Sequence, residues 1–227
     1  MRGLWLVRRG QGRAVLFCNG WGMDDAPLAH LASLRHDVYM LYDYRDPTPP
    51  EELDSVLDEA GELSLVSWSM GVWAGQRLLA ERVVPLARAV AINGTLCPVD
   101  DRRGIPAQLF ADTLTGFGEE TRSRFYRRMC RDKDTLNFFL AHQPQRSLEE
   151  QREELRVLLF EAHCQGLDTA LYRTAIIAGG DRIFPAANQR RFWQGLDTLS
   201  VDSGHYPFHL WESWEELLAF ADASRAT

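Results

Sequence analysis

Cysteine is scarce in this chain and nowhere clustered. Cys18, Cys97, Cys130 and Cys164 are widely spaced, with no CxxC pair and no mixed Cys/His group. This argues against a zinc site or a disulfide framework and predicts buried or half-buried thiols. Long apolar runs are also missing. The first residues, MRGLWLVRRGQG, hold no extended hydrophobic section, and no later stretch approaches the roughly 20 residues that a membrane span needs. A cytoplasmic protein without membrane attachment is the expectation. There is no internal repeat, and no excess of positive charge: the formal net charge is −7, which speaks against general nucleic-acid affinity. No cofactor and no metal are expected, and the chain is expected to act as a monomer.

What is present describes one soluble globule with a full hydrophobic core, 45% of its residues hydrophobic and 25% charged. Gly3–Val7, Ala14–Cys18, His36–Tyr42, Leu63–Ser67 and Ala87–Ile92 read as strands. Helices are predicted from Asp24 or Asp25 to Leu34, from Glu51 to Ala60 with Leu53, Val56 and Leu57 inward, and from Met70 to Arg82. Apolar strands alternating with helices indicate a mostly parallel α/β sheet. From Pro98 to about Leu171 the alternation stops and only helical patterns recur, around 107–112, 119–131, 135–142 and 147–164. Strands resume at Ala175–Ala178 and Leu199–Val201, with helices at Ala186–Gln194 and Tyr206–Phe220; Trp211 and Trp214 read as packing residues, and 221–227 as a frayed end. The expected division is a core formed by 1–97 and 172–227, interrupted by an all-helical cap at 98–171.

Three polar residues stand just beyond buried strands: Ser69, Asp181 and His205. Ser67-x-Ser69-x-Gly71 is a variant of the nucleophile elbow, in which serine replaces the usual first glycine, and Val72 sits where a smaller residue is common. A serine hydroxyl needs a base to take its proton, and an imidazole needs an acceptor to fix its tautomer. His205 supplies the base and Asp181 the acceptor, in the chain order Ser, Asp, His of α/β-hydrolases. Asp202 is a rival acid, only three residues before His205. An oxyanion needs donors: the amide of Met70, after the nucleophile, and that of Trp21 in Asn19-Gly20-Trp21-Gly22. The cap carries Arg122, Arg124, Arg127, Arg128, Arg131 and Lys133 within a short stretch. This pattern reads either as a solvated helix face paired with Glu119, Glu120 and Asp134, or as a face for an acidic partner.

Asn19-Gly20-Trp21-Gly22, Trp68-Ser69-Met70-Gly71, Gly180-Asp181 and Gly204-His205-Tyr206-Pro207 together resemble the pimeloyl-[acyl-carrier protein] methyl ester esterases of early biotin synthesis, α/β-hydrolases, and in particular their BioG type. The resemblance spans Leu4 to about Phe220 and implies an α/β-hydrolase fold with an inserted helical cap. It implies hydrolysis of the distal methyl ester of a pimeloyl chain held on acyl-carrier protein, with Ser69 attacking, His205 as base and then acid, and Asp181 orienting His205. Trp21, Phe110, Phe117, Phe125, Phe138 and Phe139 are the expected acyl-chain walls, and Arg124, Arg127, Arg128 and Arg131 the expected contacts to the acidic carrier. A general short-chain carboxylesterase or an acyl thioesterase would retain the same triad.

Overall fold

The computed structural model describes residues 1–166 and 170–223. Seven strands are present among the described residues: β1 (Arg2–Val7), β2 (Arg13–Cys18), β3 (Asp37–Tyr42), β4 (Glu62–Trp68), β5 (Leu86–Ile92), β6 (Thr174–Ala178) and β7 (Asp197–Val201). They form one sheet in the order β1-β3-β2-β4-β5-β6-β7. Only β1 runs antiparallel to its neighbour β3; the other pairs are parallel. The central strands are apolar on both faces because both are covered. Alternate residues feed two cores. Leu16, Leu65 and Ala91 join Leu53 and Val56 of α1 (Leu53–Glu59), Val72 and Leu79 of α2 (Met70–Leu79) and Phe192 of α7 (Ala186–Phe192). On the other face Phe17, Val66 and Ile92 meet Trp214 and Leu217 of α8 (Trp214–Asp222). Trp211 and Trp214 are both buried.

Among the described residues four helices lie between β5 and β6: α3 (Ala107–Thr115), α4 (Glu119–Met129), α5 (Lys133–Ala141) and α6 (Leu148–Glu161). Ser147 and Glu150 close a reciprocal capping box at the start of α6, a device worth about 1 kcal/mol. Since β5 and β6 are sheet neighbours, with Ile92 beside Ile176, the cap leaves and re-enters the core at one place. The fold is that of an α/β-hydrolase with a helical cap.

The structure corrects several expectations. Cys97 and Cys164 are joined as a disulfide across 67 residues of chain. Sequence spacing could not reveal this pairing, which arises because the two ends of the cap return to neighbouring strands. Cys18 and Cys130 are free and buried. The helix expected up to Leu34 is only a 3-10 turn at Ala26–Leu28. Its chain must extend at Ala32 to bridge Ser213, and the Ala32 amide donates to the Glu212 carbonyl. The helical region expected over Tyr206–Phe220 is a 3-10 turn, Phe208–Leu210, an extended Trp211, and then α8, whose Ser213 cap accepts the Glu216 amide. Ala221 is buried within α8 and Asp222 pairs with Arg88, so the expected fraying does not begin there; 224–227 lie outside the described residues, as do 167–169 of the expected cap. Among the described residues no helix is long and apolar enough to cross a membrane.

Candidate active site

Ser69 sits between β4 and α2 with φ +59° and ψ −124°. This backbone is costly for any residue with a side chain and is sustained only by tight surroundings. Gly71 permits it: a Cβ there would lie 2.1 Å from the Cys18 carbonyl oxygen and 2.5 Å from that of Asn19. The departure at Ser67 is accommodated by Tyr172, whose hydroxyl lies 2.9 Å from Ser67 Oγ and 2.7 Å from the Val72 carbonyl. Close packing is provided one turn later instead. At Gly75 a Cβ would stand 2.8 Å from Ser67 Oγ and 3.1 Å from Cys18 Sγ, so neither Ser67 nor Val72 crowds the elbow.

The chain brings Ser69, His205 and Asp181 into one line. His205 Nε2 is 2.9 Å from Ser69 Oγ, and His205 Nδ1 is 2.8 Å from Asp181 Oδ2. All three are buried. Asp181 accepts the amides of Ile183 and Phe184 on Oδ1, at 2.8 and 2.9 Å, and the Gln189 side-chain amide on Oδ2 at 2.9 Å. These donors hold the carboxylate toward the imidazole. Asp202, the rival acid, is 88% exposed and pairs with Arg131. The histidine loop has its own anchors. Trp68 Nε1 donates to the His205 carbonyl at 2.8 Å, and the Asn93 side-chain amide donates to the carbonyls of Gly204 and His205 at 3.2 and 3.0 Å. Phe184 stacks on the imidazole with ring centroids 5.9 Å apart.

A cavity of about 250 Å³ opens beside Ser69 and His205. Trp21, Phe110 and Phe125 line it, together with aliphatic residues that aromatic counting misses, among them Ile105, Leu109, Leu155 and Ile183. Three expected walls are elsewhere. Phe117 stands behind Trp21, with ring centroids 5.3 Å apart. Phe139 faces inward onto Tyr126 and Tyr206, and Phe138 packs between His30 and His142. Helix α5 thus turns its aromatic pair toward the core below the cap, away from the cavity. Met70, at the first helical position of α2, has an amide without an intrahelical acceptor. The amides of Gly20, Gly22 and Met23 are all engaged, by Asn19 Oδ1, Glu154 Oε2 and the Gly20 carbonyl. That of Trp21 has no acceptor among the described residues.

Arg124 and Arg128 line the cavity rim, and Arg127 is exposed nearby on α4. None of the three forms an ion pair among the described residues; Arg128 Nε donates instead to the Arg182 carbonyl at 2.8 Å. Arg131 differs, its charge being matched by Asp202. Burial pushes the Cys18 and Cys130 thiols up to about 12, so neither is a ready nucleophile. Among the described residues no cluster of His, Cys, Asp and Glu is able to hold a metal ion.

Comparisons with known proteins place the chain in a family. The chain is 39% identical over 196 residues to a malonyl-[acyl-carrier protein] O-methyltransferase of Bacteroides fragilis, covering 85% of this chain but only 39% of that relative's length. It is 34% identical to an uncharacterized protein of Haemophilus influenzae, covering 89% of this chain and 93% of that one. The crystal structure of BioG from Haemophilus influenzae superposes with a TM-score of 0.87 at 30% identity, over 96% of this chain and 99% of that one. Residues 1–217 match the family described as Pimeloyl-ACP methyl esterase BioG. The chain belongs to that family.

Proposed function

We propose that this chain is a serine-dependent carboxylic ester hydrolase that removes the methyl group from pimeloyl-[acyl-carrier protein] methyl ester during biotin synthesis, acting as a monomer in the cytoplasm. The observation carrying this reading is the unbroken Ser69–His205–Asp181 hydrogen-bond line opening onto an apolar cavity with a basic rim, in a chain of this family. In the reaction Ser69 Oγ attacks the distal ester carbonyl as His205 Nε2 takes its proton, while Asp181 holds the other nitrogen and balances the imidazolium. The oxyanion is received by the amides of Met70 and Trp21, each worth about 3 kcal/mol to the transition state. Collapse expels methoxide, which leaves as methanol with the proton from His205. Water, deprotonated by the same imidazole, then attacks the acyl-serine and releases the carboxylate. Residues 98–171 form the cap that roofs the acyl chain, with 1–97 and 172–227 as the catalytic core.

The deciding assay offers purified protein the carrier-linked methyl ester, the same pimelate methyl ester without carrier, and short aryl esters, following methanol and free thiol separately. Methanol release with the thioester intact, and a marked preference for the carrier-linked ester, is expected. Thiol release would point to an acyl thioesterase, and equal turnover of the small esters to a general carboxylesterase.

Docking is assigned to Arg124, Arg127 and Arg128, whose charges are unmatched among the described residues, with Arg131 a weaker contributor because Asp202 already occupies it. Reversing Arg127, the one of the three that does not line the cavity, to glutamate is expected to raise KM for the carrier-linked ester about fivefold, with carrier-free ester kinetics within about twofold of wild type. Equal losses on both substrates would show a pocket defect and remove the docking assignment.

A further inference from the structure

The loop that carries Trp21 is held by the cap. Gln151 and Glu154 lie one turn apart on α6 and are both buried, Glu154 completely at 0% exposure. Three hydrogen bonds join them to the loop: Trp21 Nε1 donates to the Gln151 carbonyl at 2.7 Å, Gln151 Nε2 donates to the Gly22 carbonyl at 2.8 Å, and the Gly22 amide donates to Glu154 Oε2 at 3.1 Å. Gly22 has φ +73°, and a Cβ there would stand 3.3 Å from Gln151 Nε2. The loop is therefore fixed immediately after the Trp21 amide, at its indole and at Gly22, by residues 129 or more positions away in sequence.

Glu154 is itself held in place. Its other oxygen accepts the Tyr44 amide at 3.0 Å, and Arg146 Nη1 reaches Oε2 at 2.5 Å. Arg146, also buried, ion-pairs with Asp43 at 2.8 Å. Burial pushes the Glu154 carboxyl group's pKa up, but its hydrogen-bond partners, the amides of Gly22 and Tyr44 and the Arg146 guanidinium, are all N–H donors that need an oxygen acceptor. A well-packed apolar pair would give comparable stability at such a site. What apolar residues cannot provide is a directional acceptor for the Gly22 amide.

We propose that Glu154, supported by Gln151 and Arg146, is a positioning residue for the oxyanion hole: cap helix α6 sets the orientation of the Trp21 amide. This rests on the reading of Trp21 and Met70 as oxyanion donors. Glu154→Gln is the sharpest probe, because its amide end presents N–H groups to donors that now meet oxygen on both sides. Misplacement of a reacting group by about 1 Å costs as much as a hundredfold in rate.

The test compares wild type and E154Q on carrier-free pimelate methyl ester, and measures inhibition by a trifluoromethyl ketone and by a plain methyl ketone of equal chain length. The first ketone forms a tetrahedral oxyanion with serine; the second reports ground-state binding. Expected for E154Q is a fall in kcat of roughly 30- to 100-fold with KM unchanged. Trifluoromethyl ketone affinity should fall by a similar factor, while methyl ketone affinity stays constant. A folded E154Q with wild-type kcat and undiminished preference for the fluorinated ketone overturns the inference, even if its Tm drops. Should wild type itself show no such preference, the oxyanion reading fails and this one with it. If E154Q yields no soluble protein, Gln151→Met carries the test with the same readouts and an expected fall in kcat of about fivefold to tenfold; an unchanged kcat there overturns it.

Discussion

A Ser69→Ala enzyme is expected to lose about 10⁴-fold or more in kcat on the carrier-linked methyl ester while its KM and Tm remain close to wild type. The hydroxyl oxygen's partner is His205 Nε2 at 2.9 Å. Removing it therefore deletes the attacking atom and little else. Alanine tolerates the φ +59° elbow no better and no worse than serine, so the strain is common to both proteins. Any residual turnover would come from the oxyanion donors and the bound geometry alone. Hydrolysis at wild-type rate in S69A would move the nucleophile elsewhere, and neither Cys18 nor Cys130, buried with thiols raised to about 12, is a ready substitute.

Gly71→Ala is expected to cost about 3 kcal/mol or more of stability, seen as a fall in Tm of roughly 10 °C. The added methyl would meet the Cys18 and Asn19 carbonyl oxygens at 2.1 and 2.5 Å. Both are backbone atoms at the end of β2, and they have no rotamer by which to retreat. Relief requires α2 to move away from β2, displacing Ser69 and the loop after Asn19 together, so activity should fall with stability. Gly116→Ala is the control: its nearest contact is 3.5 Å, an ordinary van der Waals distance, and a small effect is expected. A G71A protein with wild-type Tm and kcat would contradict the packing described at the elbow.

The sheet was legible because its strands announce themselves locally. Ala14–Cys18, Leu63–Ser67 and Ala175–Ala178 are short apolar runs bounded by glycine or polar residues, and Ser69, Asp181 and His205 each follow such a run. Features made by docking rather than by local pattern were not legible. Nothing adjacent to Gln189, Asn93, Arg146, Gln151 or Glu154 distinguishes these residues from ordinary polar positions. Arg146, Gln151 and Glu154 gain partners when α6 settles against the core, Gln189 when α7 does, and Asn93 when the loop of Gly204 and His205 closes beside β6. The same reason explains the aromatic errors: the pair Phe138–Phe139 signals an apolar face on α5, but which surface that face meets is decided by Tyr126, Tyr206 and His30. Likewise, the break between Phe208–Leu210 and α8 follows from the bridge at Ala32, 181 residues before Ser213 in the chain.

Insertion between neighbouring strands ordinarily makes a unit exchangeable, because its two ends begin close together. The cap enters after β5 and returns at β6, so by connectivity it resembles a cassette. Its bonds to Trp21 and Gly22 restrict that freedom. A chimera that places a foreign cap on this core would keep serine, histidine and aspartate, yet leave the Gly22 amide and the Trp21 indole without acceptors. Redesign of substrate range is therefore best confined to α3, α4 and α5, with Arg146 and α6 retained as part of the core's own inheritance.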